Sequence, residues 1–228
     1  KTGCTREVLW REYIQRHHDG YGYSQFNEHL ARWRGKIKTS GKLIHKAGDK
    51  VYVDYTGQKL HITDKQTGEM IPVEVFVGIL PASQYTYVEA SLSQKKEDFI
   101  SSMNRCLTFF GGVPKTIVTD NLKSAVSKAS KYEAVLNKSL KDFAIHYKTS
   151  INPTRSYSPQ DKALVEGAVK LVYQRIFYEL NKMTFFDLKS LNEAIGNLLV
   201  QYNHYLMKQL ETSRSKQFLD IEKSYLSA

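Results

Sequence analysis

Three acidic side chains sit where the local sequence pattern does not ask for charge. Asp54 interrupts the apolar stretch VYVDY, Asp120 closes the apolar run TIVTD, and Glu166 lies one turn into the helical pattern DKALVEGAVK. A carboxylate in or beside a strand is costly to desolvate unless a basic side chain or a cation neutralises it. Oxygen-only ligation suits Mg²⁺ or Mn²⁺, which take a few carboxylates and keep some of their water. Two such ions held close together activate an attacking oxygen and stabilise a leaving oxygen at phosphorus. The chemistry open to Asp54, Asp120 and Glu166 as metal ligands is therefore phosphoryl transfer. Each acid alone is better explained as a satisfied polar residue; the three as a set are what point to a site.

The elements that must position them follow from hydrophobic periodicity. Residues 5–17 have a helical stripe of Val8, Leu9, Tyr13 and Ile14 with Thr5 as cap, and DGYGYS breaks it. Ser24 can cap a second helix, QFNEHLARWR, through Arg34. Two helices joined by a glycine-containing turn predict the end of a helix-turn-helix, with Gln25, Asn27 and Arg32 presented, or else an ordinary helical hairpin. A basic linker spans residues 35–48. From residue 49 the period changes to two: KVYVDYTGQKLHITD predicts a strand or strand pair, MIPVEVFVGIL a second strand and YTYVEAS a third. An amphipathic helix capped by Ser93 follows, with Phe99, Ile100, Met103, Leu107 and Phe110 on one side and Gly111, Gly112 and Pro114 ending it. KTIVTDN predicts a strand returning parallel to the sheet. A Ser-rich basic loop, a helix near 133–146, the strand KTSINPTR and two long helices, 161–180 and 185–208, complete the order. The fold class is α/β: a five-stranded mixed sheet, β-β-β-α-β-α-β-α, with helical N- and C-terminal flanks. Val165, Ala168, Val169 and Val172 form the core stripe beside Glu166, with Lys162 and Lys170 at i−4 and i+4.

Charge narrows the partner. Lys and Arg number 33 against 23 Asp and Glu, a net charge of +10 over 228 residues. Residues 1–48 contribute +6 of this, and residues 115–182 hold twelve basic against six acidic residues. Such an excess attracts polyanions. No apolar run approaches the roughly 20 residues of a membrane helix, and no secretory signal opens the chain. Cys4 and Cys106 make no zinc spacing or disulfide framework, in keeping with a reducing, cytoplasmic compartment. The seven histidines show no HxxxH or HxH pairing; GxSxG and GxxxxGK[ST] elements are missing too. Phe177, Tyr178, Phe185 and Phe186 are expected to pack between helices, and Tyr21 and Tyr23 against the helices they join.

The stretches VYVDYTG, IVTDNLKSAV and SYSPQDKALVEGAVK resemble the three acidic motifs of the DDE transposase and retroviral integrase superfamily, in the form of the IS21-family transposases. The tail YNHYLMKQLETSRSKQFLDIEKSYL is similar to the region following the last motif. The resemblance implies an RNase H-like catalytic core with Asp54, Asp120 and Glu166 as catalytic, metal-binding residues. It implies Mg²⁺ or Mn²⁺ as cofactor, two ions in the DNA-bound state, and a reaction of element-end cleavage followed by 3′-hydroxyl strand transfer into target DNA. The DNA contacts expected are Asn121, Lys123, Arg155, Lys162 and Lys170, with Arg32 and Arg34 in the N-terminal helices. Implied partners are element-end and target DNA, further copies of the chain and an AAA+ helper ATPase. The expected organisation is a DNA-binding segment over 1–34, the linker, a catalytic core over 49–185 and a helical extension over 186–228. The truncated look of the helix pair predicts that this is part of a longer protein. An RNase H-like nuclease or resolvase without joining activity, and a DNA-binding protein with an inactive core, are the alternatives.

Overall fold

The computed structural model describes residues 5–37, 45–119, 126–129, 134–153, 159–207 and 210–228. The chain divides into two compact units, Lys1–Leu43 and Ile44–Ala228.

The first unit is a helical hairpin. Helix α1 (Arg6–Arg16) begins where the Thr5 hydroxyl accepts the Val8 N–H, and it buries no residue. Helix α2 is Tyr23–Ile37, so Ser24 lies inside its first turn and does not precede it as a cap. The turn is held by aromatic contacts. Trp10 meets Tyr23 edge-on at 5.5 Å, Tyr13 lies 5.1 Å from Phe26, and Tyr21 stacks on His29 at 4.6 Å. The Trp10 indole donates to the Tyr21 carbonyl, and the Tyr13 hydroxyl accepts the Tyr21 N–H. Tyr21 and Tyr23 therefore pack on the helices as expected. Arg32 pairs with Glu28, one turn earlier, and stays exposed. Asn27 is not presented as expected, because its Oδ1 is buried, without a partner among the described residues.

The second unit is built on a sheet with six strands among the described residues: β1 (Lys50–Tyr55), β2 (Leu60–Thr63), β3 (Met70–Ile79), β4 (Thr86–Ser91), β5 (Thr116–Thr119) and β8 (Ser150–Pro153). The order is β2-β3-β1-β5-β8, with β4 also on β3. β1 and β2 both pair antiparallel with β3, β2 further along it, and the register shifts by two residues across Thr56–Lys59. One interrupted strand thus counts as two, which is why six strands stand where five were expected. β5 returns parallel to β1 and β8 parallel to β5, as the intervening helices require. The Ser-rich basic region contains a short hairpin, β6 (Val126–Ala129) with β7 (Ala134–Leu136). The helix expected from residue 133 therefore starts later, as α4 (Lys138–His146), where the Asn137 side chain accepts the Leu140 N–H.

Strand alternation divides the core between the two faces. Val51, Val53 and Tyr55 point to the side covered by α3 (Lys96–Phe110) and α4, together with Ile117 and Ile151. Tyr52 points to the other side, where it meets Val118 and Ala168. That side is covered by α5 (Pro159–Val172), which continues through a π-helical turn, Tyr173–Phe177, to Leu180, and by α6 (Leu188–His204). Helix α3 approaches so closely that a Cβ on Gly78 would lie 2.5 Å from the Cys106 sulfur. It ends at Gly111 in the left-handed region, φ 66°, as the sequence predicts. Ser93 does not cap it directly: Lys95 occupies the cap position, while the Ser93 hydroxyl accepts the Lys95 N–H and bonds to Asp98.

Helix α6 is part of this core. Leu191, Ile195, Leu199 and Tyr202 pack with Val73, Val75 and Val88. Two asparagines on α6 complete the outer edge of β4. Asn192 both donates to and accepts from the Ala90 backbone, at 2.9 and 2.7 Å, and Asn203 does the same for Thr86, at 2.8 and 3.2 Å. After a short hairpin, β9 (Leu206–Met207) with β10 (Thr212–Ser213), the chain turns through α7 (Arg214–Gln217) and a π-helical turn, Phe218–Glu222. Phe218 stacks on Tyr85 at 4.4 Å, and Glu222 accepts the Ser83 N–H at 2.9 Å.

Candidate active site

Asp54 occupies the fifth position of β1, so alternation turns it toward the α5 side of the sheet, like Tyr52. Its Oδ1 accepts the Tyr55 N–H at 2.8 Å. Across the cleft, α5 presents Glu166, Val169, Lys170 and Tyr173, whose spacing of i, i+3, i+4 and i+7 defines one helical face. With Asp54, Tyr55 and Gly57 these residues line a cleft of about 330 Å³. The structure thus brings together two of the three acids singled out in the sequence. Asp120 lies outside the described residues; the residue before it, Thr119, is register-paired with Val53, beside Asp54. Among the described residues no group of three His, Cys, Asp or Glu side chains converges.

The residues expected to contact DNA lie in different places. Lys170 is exposed and lines the cleft beside Glu166. Lys162 lies on α5 one turn before Glu166, and its side chain is outside the description, as is that of Val165. Asn121, Lys123 and Arg155 fall outside the described residues. Ala168 and Val172 are buried as expected, but Val169, assigned to the core stripe, borders the cleft. Phe177 and Phe185 pack in the core, whereas Tyr178 and Phe186 are exposed, Phe186 with the Lys65 ammonium 5.7 Å from its ring centre.

Three cleft residues went unrecognised in the sequence. Tyr173 accepts the Gln58 N–H at 3.0 Å and so ties α5 to the interruption between β1 and β2. Gly57 lies in that interruption, and Tyr55, whose ring packs on the α3 side, borders the cleft beside Asp54. The helical spacing from Glu166 would have found Tyr173; nothing local marked Gly57. Burial raises the Tyr55 phenol above its ordinary value, against the hydrogen bond with Ser91, so it is a neutral hydroxyl at pH 7.

A second strand carboxylate, Glu89, gives a useful contrast. It is buried on β4, receives both Arg105 nitrogens at 2.7 and 2.9 Å, and accepts the Tyr87 hydroxyl at 2.7 Å. That acid is gripped by an arginine away from the cleft, whereas Asp54 and Glu166 line the cleft. Their carboxylate oxygens are hard donors of the kind Mg²⁺ and Mn²⁺ prefer, so the described donor set fits a divalent cation.

No family model matches the sequence. Relatives are nonetheless numerous. A candidate transposase of Sinorhizobium fredii is 42% identical over 226 residues, 99% of this chain and 44% of its own length. A candidate transposase for insertion sequence IS1162 of Pseudomonas fluorescens is 35% identical across 99% of this chain and 41% of its own length. The transposase of insertion sequence element IS21 of Pseudomonas aeruginosa is 29% identical across 52% of this chain and 30% of its own length. The chain spans less than half the length of these relatives. Among solved structures, the HTLV-2 integrase catalytic core domain in complex with magnesium superposes with a TM-score of 0.54 at 16% identity, over 76% of this chain and 97% of that one. A chain of the simian T-cell lymphotropic virus intasome in complex with PP2A regulatory subunit B56 gamma gives 0.54 at 14% identity, over 95% of this chain and 71% of that one. Along nearly all of its length, then, this chain is a relative of the insertion-sequence transposases, and its sheet and helices form the RNase H-like fold of a retroviral integrase core.

Proposed function

We propose that this chain is the catalytic segment of a DNA transposase, and that it cuts element ends and joins the freed 3′-hydroxyl to target DNA. The observation that carries the reading is the cleft shared by Asp54 on β1 and Glu166 on α5, within an integrase-core fold. Asp120, directly after β5, is proposed to complete the set of metal-holding carboxylates. Bound there, Mg²⁺ or Mn²⁺ would supply Lewis acidity at the phosphorus centre and lower the pKa of an attacking hydroxyl. The chain's own residues orient the DNA. Lys170 meets a backbone phosphate beside Glu166, and Tyr173, through Gln58, holds the β1–β2 interruption in place. Asn121, Lys123, Arg155 and Lys162, with Arg32 and Arg34 of the helical hairpin, are proposed as further DNA contacts. The proposed partners are element-end and target DNA, additional copies of the chain and an AAA+ helper ATPase.

The test is strand transfer with pre-cut element ends, a labelled target duplex and Mg²⁺. Joined product is expected from the wild type and none from Asp120→Asn, with duplex binding retained by both. Cleavage without any joined product would assign the core to a nuclease instead. Unchanged joining by Asp120→Asn would remove that residue from the site.

A further inference from the structure

A second cleft, of about 370 Å³, opens on another side of α5. Leu171, on its wall, is five residues on from Glu166 and so about 140° around the helix from it. The cleft lies between α5 and the β9–β10 hairpin, whose Leu206, Met207 and Leu210 supply apolar walls. Its cationic groups are Arg175 and Arg214. Each guanidinium is stacked on a tyrosine ring, Arg175 on Tyr205 at 3.8 Å and Arg214 on Tyr202 at 4.2 Å. Stacking fixes the planes and leaves the N–H edges to serve a ligand.

Arg214 is only 6% exposed, and its Nε has no hydrogen-bond partner among the described residues. Among the described residues its hydrogen bonds go to Tyr202: a terminal nitrogen donates to the carbonyl over a long 3.4 Å, and the phenol hydroxyl is a further partner. Among the described residues no acid forms an ion pair with either arginine, and burial together with the like charge of Arg175 works against protonation of Arg214. A buried cation without a counter-ion is destabilising. The contrast with Arg105, which Glu89 grips at both nitrogens, shows what this fold does when an arginine is purely structural.

We propose that the cleft binds a side-chain carboxylate, presented by an acidic residue with apolar neighbours on a partner protein. The planar fork of a guanidinium matches a carboxylate with two parallel hydrogen bonds. The leucine and methionine walls match apolar neighbours on either side of the acid. A duplex phosphate fits less well: protein–DNA interfaces are polar and wet, and a DNA cylinder resting on the rim does not reach a guanidinium buried this deeply.

The test titrates the whole chain with N-acetyl-leucyl-glutamyl-leucine amide while the arginine Nε–H signals are followed by NMR, with the glutaminyl peptide and a 12-base-pair duplex as comparisons. Saturable binding of the glutamyl peptide is expected, with at least tenfold weaker binding of the glutaminyl peptide. Arg175→Gln changes an exposed side chain, so the fold should be retained, and it too should weaken the glutamyl peptide at least tenfold. Equal affinity for the two peptides, no binding of the glutamyl peptide, or no effect of Arg175→Gln overturns the proposal. If instead the duplex alone binds and loses tenfold in Arg175→Gln, the cleft is a phosphate site.

Discussion

Asp54 and Glu89 are both strand carboxylates of the same sheet, and their surroundings give them opposite uses. Glu89 is satisfied by Arg105 and Tyr87 within the protein. Asp54 shares its cleft with Glu166 and Lys170. Charge removal at constant shape separates the two roles. Asp54→Asn is expected to lower Mg²⁺-dependent strand transfer about a hundredfold or more, since metal-based stabilisation of a phosphoryl transition state amounts to several kcal/mol. Folding should be preserved, because the amide oxygen can still accept the Tyr55 N–H. The comparison is a rate in a single-turnover joining assay beside a melting curve; full activity in the variant contradicts the assignment.

At the scale of elements, the asparagine pair on α6 has the largest structural consequence. β4 is paired on one side by β3, and an uncovered outer edge would offer free backbone groups to another chain. Asn192 and Asn203, three helical turns apart, act as substitutes for a neighbouring strand. Asn192→Ala leaves the Ala90 N–H and carbonyl without these partners and should cost about 1–3 kcal/mol. That corresponds to a fall in Tm of roughly 2–4 °C per kcal/mol for a chain of this size. An unchanged Tm would mean that water replaces the side chain at no cost. Glu222 makes a pH-dependent element contact. It is fully buried, and desolvation raises its pKa above the usual carboxylate value of 4.5, against the Ser83 hydrogen bonds that favour the charged form. A raised folded-state pKa means that its contribution is fully present below the unfolded value and is lost as pH rises through the folded one. Melting curves from pH 4 upward should therefore decline for the wild type more than for Glu222→Gln. Parallel curves would refute this account of the π-helical turn Phe218–Glu222.

For the molecule as a whole, the net charge of +10 acts at long range, beyond any single contact. Duplex binding should depend steeply on salt. If six to ten phosphates are neutralised, affinity falls by about 10³–10⁵ between 50 and 200 mM salt. Lys170→Ala should reduce the slope of log K against log salt by about one without altering sequence preference. Fluorescence anisotropy over a salt series reads both, and a flat dependence would exclude DNA as the ligand of the basic surface.

Local patterning made most of the frame legible. The change of period at residue 49, the glycine stop at Gly111 and the helical stripe of 161–180 depend on near neighbours, so alternation and helical spacing are enough to read them. The same alternation puts Asp54 on the α5 side of β1, and helical spacing would have revealed Tyr173. What sequence patterning could not decide is which acid lines the cleft and which is gripped by an arginine elsewhere. Glu89 and Asp54 look alike in a strand, and they part only because Arg105 arrives from α3 while Glu166 arrives from α5, 112 residues further along the chain. The asparagine cover over β4 and the two arginines of the second cleft are likewise pairings between distant segments. By itself the sequence determined most of the elements, their succession along the chain and the three acids to examine; packing between remote elements decided the order of strands in the sheet and which side chains share a space, because those depend on how the layers close over one another.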